Sequence, residues 1–457
     1  MQLSHTFAAM SVAFTEENLI GSAGLVPAVG LATQIGLVGL GQEHVKLSGP
    51  GRANAGVKLM SIVAGMLAGA DSIVDMGQLR HGGMERVFTQ MRAPSTLGTF
   101  LRCFTFGNVR QVDAVASRAL ERLTTFTPEL VAGIDSNCLI DIDDTIDEVY
   151  GVQKQGAEHG YTHIRGLNAQ LATISTATAA PVIAGTRLRR GAVFSGHGAP
   201  KLLVDVIATA KRCGASQNIL VRADSAYYTS QLVQKVTGAG ARFSITARQN
   251  QSVTRAISRI PADAWTRIQY TQAIPDPDTG ELVSAAEVAE IEYTAFASTK
   301  NPVIARLIVR RIPERNKDKL AGQDTLFPVW RYHCVFTNNP APLVEAEVTH
   351  RQHAIIEQVF ADLKASALAN LPSGDFQANG AWLVCASIAF NLTRAIGVNA
   401  GGRFARAETA TIRARLINIP ARIARRGRQL KLYLPDNWLW AKSWLRLWAK
   451  TMTPATP

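Results

Sequence analysis

Residues 138–146 read Cys138-Leu139-Ile140-Asp141-Ile142-Asp143-Asp144-Thr145-Ile146, an apolar lead into three aspartates within four positions. Strand alternation puts Leu139, Asp141 and Asp143 on one face and Ile140, Ile142 and Asp144 on the other. Carboxylates crowded onto so apolar a strand repel one another and lose hydration, so they call for a cation or for hydrogen-bond donors. A divalent metal held by carboxylate oxygens answers that need. A solvated strand end or turn answers it as well from this stretch alone, so the reading turns on which acids follow downstream.

The chain around it has 457 residues, 47% of them hydrophobic, enough for two or three globular domains and unlike a disordered chain. A formal charge of +13 favours a polyanionic partner, nucleic acid before an anionic membrane. The five cysteines are scattered and form no C-x-x-C pair, which argues against a disulfide framework or a zinc site and fits a reducing cytosol. The start, MQLSHTFAAM, lacks a basic lead into an apolar run, so no secretory signal is expected. Residues 18–42 carry no charge and match a membrane span in length, but Pro27, Gln34 and several glycines make a buried helix and loop the better reading.

Residues 19–130 read as mostly helical, including 57–67 and a candidate over 70–86 interrupted at His81-Gly82-Gly83. Pro94 and Ser95 ahead of Leu97, Phe100 and Leu101 signal a helix start. A short helix carrying Thr96, Thr99 and Arg102, with Arg110 beyond it, would suit DNA in helix-turn-helix fashion; a plain structural helix is the competing reading. From 131 onward the texture changes. Strands are expected at 138–146, 167–178 and 181–188, a helix at 201–213, a buried strand at 218–223 ending at Asp224, a helix at 230–236 and a strand at 242–246. Three strands of meander and then strand–helix–strand units describe a mixed α/β sheet flanked by helices, of the ribonuclease H kind.

Strand patterns at 265–270, 288–296, 303–312 and 330–337, with a turn at 276–280, read as a β-rich insertion. Helices resume at 348–368 and 380–396. The tail gathers Arg403, Arg406, Arg413, Arg415, Arg422, Arg425, Arg426, Arg428 and Lys431 against Glu408 alone, a phosphate-binding footprint. Trp440, Trp444 and Trp448 follow at helical spacing and read as packing residues. The expected organisation is a helical DNA-binding region over 1–130 and a ribonuclease H-like core over 131–249. A β-rich insertion follows over 250–340, the core resumes over 341–400, and a basic helical region occupies 401–457.

Two further acids join the first stretch. Asp224 ends a buried strand in Val221-Arg222-Ala223-Asp224-Ser225, where sites form in mixed sheets. In the 350–364 helix, Ile356, Val359, Phe360 and Leu363 form the apolar stripe, and His353, Glu357 and Lys364 lie along an adjacent one. Glu357 therefore sits at the edge of the core, with Lys364 two turns farther along the same side.

In this order and spacing the sequence resembles the DDE-type insertion-sequence transposases that have a ribonuclease H-like core and a β insertion before the last acid. The likeness runs from Ala23-Gly24-Leu25-Val26-Pro27 through 93–102, 140–145, 222–225 and 357–364 to Ile419-Pro420-Ala421-Arg422. It implies a catalytic triad of Asp143, Asp224 and Glu357, with Asp141 and Asp144 as competitors for the first place. The family's helix signature is Tyr, two residues, Arg, three residues, Glu, six residues, Lys. Glu357 and Lys364 match it, whereas His350 and His353 occupy the Tyr and Arg positions and Arg351 lies nearby. The resemblance further implies two Mg2+ ions per site (Mn2+ able to substitute), terminal inverted repeats and target DNA as partners, a homodimer on DNA, no membrane, and a bacterial cytoplasmic, nucleoid-associated setting. DNA contacts are expected from Lys364, Arg351, His353, Arg222, Arg102, Arg422 and Arg425, and from Trp265, by stacking on an unpaired base. Two other readings compete. Leu139 to Thr145 also matches the nucleophile loop of haloacid-dehalogenase-like phosphatases, with Asp141 attacking and Asp143 as acid–base. A catalytically inactive, transposase-derived DNA-binding protein is the other.

Overall fold

A computed structural model describes residues 4–49, 52–160, 162–268, 286–313 and 329–452. Its strands, in chain order, are β1 (Leu19–Ile20), β2 (Cys138–Glu148), β3 (Glu158–His159), β4 (Arg165–Ser175), β5 (Val182–Arg190), β6 (Ile219–Ala223), β7 (Arg242–Thr246), β8 (Thr266–Ile268), β9 (Ala286–Ala295), β10 (Val303–Pro313), β11 (Trp330–Thr337), β12 (Ala421–Arg426) and β13 (Gln429–Tyr433). The aspartate-rich stretch is β2, and it lies inside the main sheet. Antiparallel β4 flanks it on one side and parallel β6 on the other. β5 pairs antiparallel with β4, and β7 pairs parallel with β6. The order β5-β4-β2-β6-β7, three meandering strands and then two parallel ones, is that of a ribonuclease H-like core.

The strands of the β-rich stretch continue this sheet. β11 pairs antiparallel with the outer edge of β7, from Ser244↔Thr337 to Thr246↔Val335, and β10, β9 and β8 follow in turn. Ten strands therefore share one sheet among the described residues. The expected turn at 276–280 and the end of the 265–270 strand lie outside the described residues.

Helices cover both faces. Ala199–Arg212 packs Leu202 and Val206 onto the face where Gly185 of β5 leaves room for them, since a Cβ there would meet both side chains at 2.7 Å. The helix Phe376–Ala400 is the only described one long and apolar enough by itself to cross a membrane, but nearly all of it is buried inside the protein. It packs against Phe106–Phe126, Ala55–Ala68 and β5, so the N-terminal helices and the sheet share one apolar core. The uncharged 18–42 stretch becomes two helices, Leu25–Gln34 and Leu37–His44, bent by 52° about Gly36. Gly36 has φ +69°, a conformation that favours glycine.

The basic tail differs from the helix expected of it. Its most basic stretch is a hairpin, β12–β13, which pairs through β12 with β1 to make a separate three-stranded sheet. Ala421 and Ile423 are buried with exposed Arg422 between them, a period of two that a helix does not satisfy. Gly427 turns the chain, and helix returns only at Ala441–Met452. There Trp444 is buried and stacks on Trp448, the packing role read for it.

Asn391 of the long helix clamps β5: its Oδ1 accepts from the Ile183 amide at 2.8 Å and its Nδ2 donates to the Ile183 carbonyl at 2.7 Å, both buried. Asn391→Ala strands these two backbone groups away from water. It is expected to destabilise the fold by about 2–4 kcal/mol, measured as a lower midpoint of urea unfolding.

Candidate active site

The sheet register brings two of the acids together. β2 and β6 run parallel with Asp141 opposite Arg222 and Ile142 opposite Ala223. One step farther, Asp224 leaves β6 beside Asp143, about one strand spacing (~4.8 Å) away. Asp224 caps the short turn Ser225–Tyr227, its Oδ1 accepting from the Ala226 amide at 2.9 Å. Both carboxylates are half-buried. Burial, with a smaller contribution from the neighbouring Asp224 and Asp144 charges, pushes the Asp143 carboxyl up to about 6. Burial likewise raises Asp224 above the usual carboxylate range.

The three aspartates of β2 have different surroundings. Asp141 is fully buried in a bidentate ion pair, with Arg222 Nε on Oδ1 and Nη2 on Oδ2, both at 2.7 Å. Asp144 points to the opposite face, where it pairs with Arg189 and accepts from Asn168 Nδ2 at 3.1 Å and Ser195 Oγ at 3.2 Å. Asp143 has no arginine or lysine at ion-pair distance among the described residues. Its one hydrogen bond there is from the Asp144 amide, at 2.8 Å. Of the three carboxylates, Asp143 alone has no ion pair among the described residues, and it is partly exposed.

The helix Ile355–Lys364 lies along the Asp141–Asp143 face and is fixed to β2 at both ends. At the near end His353 Nδ1 is 3.0 Å from Asp141 Oδ1. An ionised carboxylate only accepts, so Nδ1 carries the proton. At the far end Lys364 Nζ donates to Thr145 Oγ1 at 2.8 Å and to the Ile146 carbonyl at 3.0 Å. Helix and strand therefore run the same way. The climb from His353 to Glu357 is about 6 Å, close to the roughly 6.6 Å from Asp141 to Asp143, so Glu357 rides level with Asp143. Its side chain is exposed and bonds to neither aspartate. Among the described residues no three His, Cys, Asp or Glu side chains gather closely enough to hold a metal ion. The pair Asp143–Asp224, without an ion pair among the described residues and raised by burial, suits a divalent cation; Glu357 lies outside that pair.

Several expected DNA contacts fall elsewhere. Arg222 is no DNA contact: it is 1% exposed and its guanidinium is spent on Asp141 and the Thr349 carbonyl. Arg351 donates to both oxygens of buried Glu347, at 2.9 and 3.0 Å. Trp265 stacks on the Arg311 guanidinium at 4.0 Å, and that group lies 4.4 Å from Trp330 on its other contact. Arg102 is exposed at the end of Pro94–Arg102, whose Leu97, Phe100 and Leu101 are buried. Arg422 and Arg425 are exposed on β12. His350, in the family's tyrosine position, is buried between Ser244 Oγ and Thr246 Oγ1, each at 3.0 Å. Burial, aided by His353, Arg222 and Arg310, pushes its pKa down to about 3, so it stays neutral and away from phosphate.

Two residues near the acids escaped the sequence reading. Arg248 is exposed, its Nε donates to the Ser225 carbonyl at 2.9 Å, and its charge lowers the Asp224 pKa. Asp147 is buried farther along the same face of β2, and burial lifts it to about 6 against the pull of Lys364 and Lys154. The Asp141–Arg222 pair did leave a signal: an arginine in the otherwise apolar strand 219–223 needs a buried counter-ion.

The family model described as Transposase DDE domain group 1 matches residues 9–453. No curated protein matches the chain. Among solved structures it is similar to a cryo-EM structure of a piggyBac transposase synaptic complex with hairpin DNA, at a TM-score of 0.41 and 8% identity, covering 94% of this chain and 82% of that one.

Two predictions follow from these surroundings. Arg222→Met leaves a carboxylate buried without its partner and is expected to cost about 3–5 kcal/mol of stability; the double variant Asp141→Leu/Arg222→Met should be less damaging, by denaturant unfolding. For Asp143, a folded pKa of about 6 against the ordinary 3.8 means that the folded chain keeps a proton that the unfolded chain has lost. The stability it contributes is therefore greatest below the ordinary value and is lost as pH rises toward 6. Asp143→Asn should melt above wild type at pH 7, with the difference shrinking as pH is lowered from 6 to 4, by thermal melting across that range.

Proposed function

Because the chain belongs to the transposase DDE domain group 1 family, we propose that it is an insertion-sequence transposase that cuts DNA at terminal inverted repeats and joins the released ends to target DNA. The observation that carries this reading is the Asp143–Asp224 pair, set side by side by the parallel strands β2 and β6, with Asp143 the one of the three clustered aspartates that has no ion pair among the described residues.

DDE transposase domains act with divalent metal ions. Asp143, Asp224 and Glu357 would hold them here, Mg2+ or Mn2+ and two per site, and when bound they supply an activated water and a neutralised leaving oxygen. The protein's own work is positioning. Asp141, braced by Arg222, holds His353 Nδ1–H and thereby turns Nε2 away from β2. Lys364 presents an ammonium at Thr145, beside the first acid, where it would hold a backbone phosphate. Arg248 does the same beside Asp224. Water oxygen adds to phosphorus and the bond to the 3′ oxygen breaks, leaving a 3′ hydroxyl and a 5′ phosphate. That hydroxyl then attacks a target phosphodiester and displaces its 3′ oxygen.

Arg102, Arg422 and Arg425 are proposed as contacts to the repeat, outside the reacting centre, with His353 flanking it; Arg351 would reach a phosphate only by giving up Glu347. Trp265 would stack on a base only by giving up Arg311. Two copies on paired ends form the natural assembly, in the bacterial cytoplasm. The phosphatase reading loses its nucleophile, because Asp141 is fully buried against Arg222.

The test is cleavage of a duplex bearing the repeat that flanks the gene, with Mg2+ or Mn2+. Asp143→Asn, Asp224→Asn and Glu357→Gln should each lower cutting at least about 10³-fold with DNA binding retained, and Asp144→Asn should not act as a triad member. Variants that cut as well as wild type would overturn the assignment.

A further inference from the structure

β12 and β13 protrude from the body as a cationic finger. Their roots are anchored, with Ala421 and Ile423 buried and Leu432 and Tyr433 half-buried. Beyond the roots, every residue of 425–431 is exposed. Arg426 is the partner of Gln429, so Gly427 and Arg428 alone form the turn, and Gly427 has φ +59°. Glycine first in a two-residue turn is the chemistry of a tight hairpin.

The tip holds Arg425, Arg426, Arg428 and Lys431 and no acid. Among the described residues none of these four makes an ion pair. Arg422 differs in sitting at the root, where its charge reaches Glu16; it and Lys431 approach the Tyr433 ring at 5.1 and 4.9 Å. Cross-strand register puts Arg425 and Leu430 on one face and Arg426 and Gln429 on the other. Charge therefore surrounds the finger, which does not favour docking on a flat acidic surface.

We infer that the 425–431 finger enters the major groove of duplex DNA, as a contact separate from the active site; this rests on the transposase reading above. Size decides the groove. A two-stranded ribbon suits the major groove, about 12 Å wide, and is too broad for the minor groove at about 6 Å. Inside it, Arg425, Arg428 and Lys431 reach phosphates on the two walls. Arg426 and Gln429, side by side on one face, have the donors that read guanine and adenine edges.

The experiment titrates the full-length protein against a duplex bearing the repeat, by fluorescence anisotropy at several salt concentrations. Wild type is compared with Arg425→Ala/Arg426→Ala/Arg428→Ala/Lys431→Ala and with Lys235→Ala, at an exposed lysine of the Ser230–Gly238 helix. The quadruple variant should lower the slope of log K against log salt by about 2.7, for three lost phosphate contacts at roughly 0.9 each, with its melting temperature unchanged. Lys235→Ala should leave the slope unchanged. Guanine N7 methylation should weaken wild type and not the quadruple variant, whereas a saturating minor-groove ligand should weaken neither. An unchanged slope, displacement by the minor-groove ligand alone, or a loss seen only on anionic phospholipid vesicles would each overturn the inference. An unchanged slope with triad-dependent cutting intact removes the finger and leaves the transposase reading standing. Failure of wild type to bind or cut any duplex removes both.

Discussion

The guanidinium of Arg222 and the carboxylate of Asp141 meet inside the sheet, where neither has water. Removing two such ions from solvent costs several kcal/mol each, and only close, saturated geometry offsets it. Here the geometry is saturated: two bonds join the pair, the Thr349 carbonyl takes another guanidinium proton, and His353 donates to the carboxylate. Because the two residues are register partners on β2 and β6, a slip of one position would bury each charge alone. The pair thus fixes the register that sets Asp224 beside Asp143, and through His353 it fixes where the helix carrying Glu357 crosses. One buried cluster positions all three elements that carry the proposed triad.

That arrangement also explains how three aspartates so close in sequence come to differ. Asp141 and Asp144 each have an arginine and are used up in holding the sheet together, on opposite faces. Asp143 has a backbone amide and two acidic neighbours, so its ionised form is costly in the folded chain. A charge that destabilises the empty fold is one that a cation would relieve, which is the expected trade between stability and a working site.

Much of this was legible in the sequence, because strands and helices declare themselves by period. The order of β2, β4, β5, β6 and β7 followed from alternation and turn residues, and so did the placement of Asp224 at a strand end. The choice among Asp141, Asp143 and Asp144 did not. Alternation leaves Asp141 and Asp143 on one face, and the residues that separate their roles, Arg222 and Arg189, arrive from strands far along the chain. Long-range pairing also decided that β11 would add to the β7 edge, extending the core sheet through the β-rich stretch. In the tail, arginine content overshadows the short alternation of Ala421, Arg422 and Ile423, so the sequence suggests a helix where a hairpin forms.

Net charge is similarly a sum over unlike things. Arg222 and Arg189 are buried and neutralise acids within the core, and buried Arg394 is held by the Ala405 and Ala407 carbonyls. Arg306 and Arg311 tie β10 to β9 through Glu290 and Glu287, and Arg310 ties β10 to the helix Leu343–Arg351 through Glu347. None of these has charge to spare for a polyanion. Among the described residues, exposed cations without an ion pair are spread over the surface; Arg425, Arg426, Arg428 and Lys431 gather four of them in seven residues at the β12–β13 tip, and Lys364 and Arg248 lie near the acids. Counterion release depends on charges that actually meet phosphates, so the +13 of the sequence fixes the sign of the partner while the pairing pattern fixes where it is met.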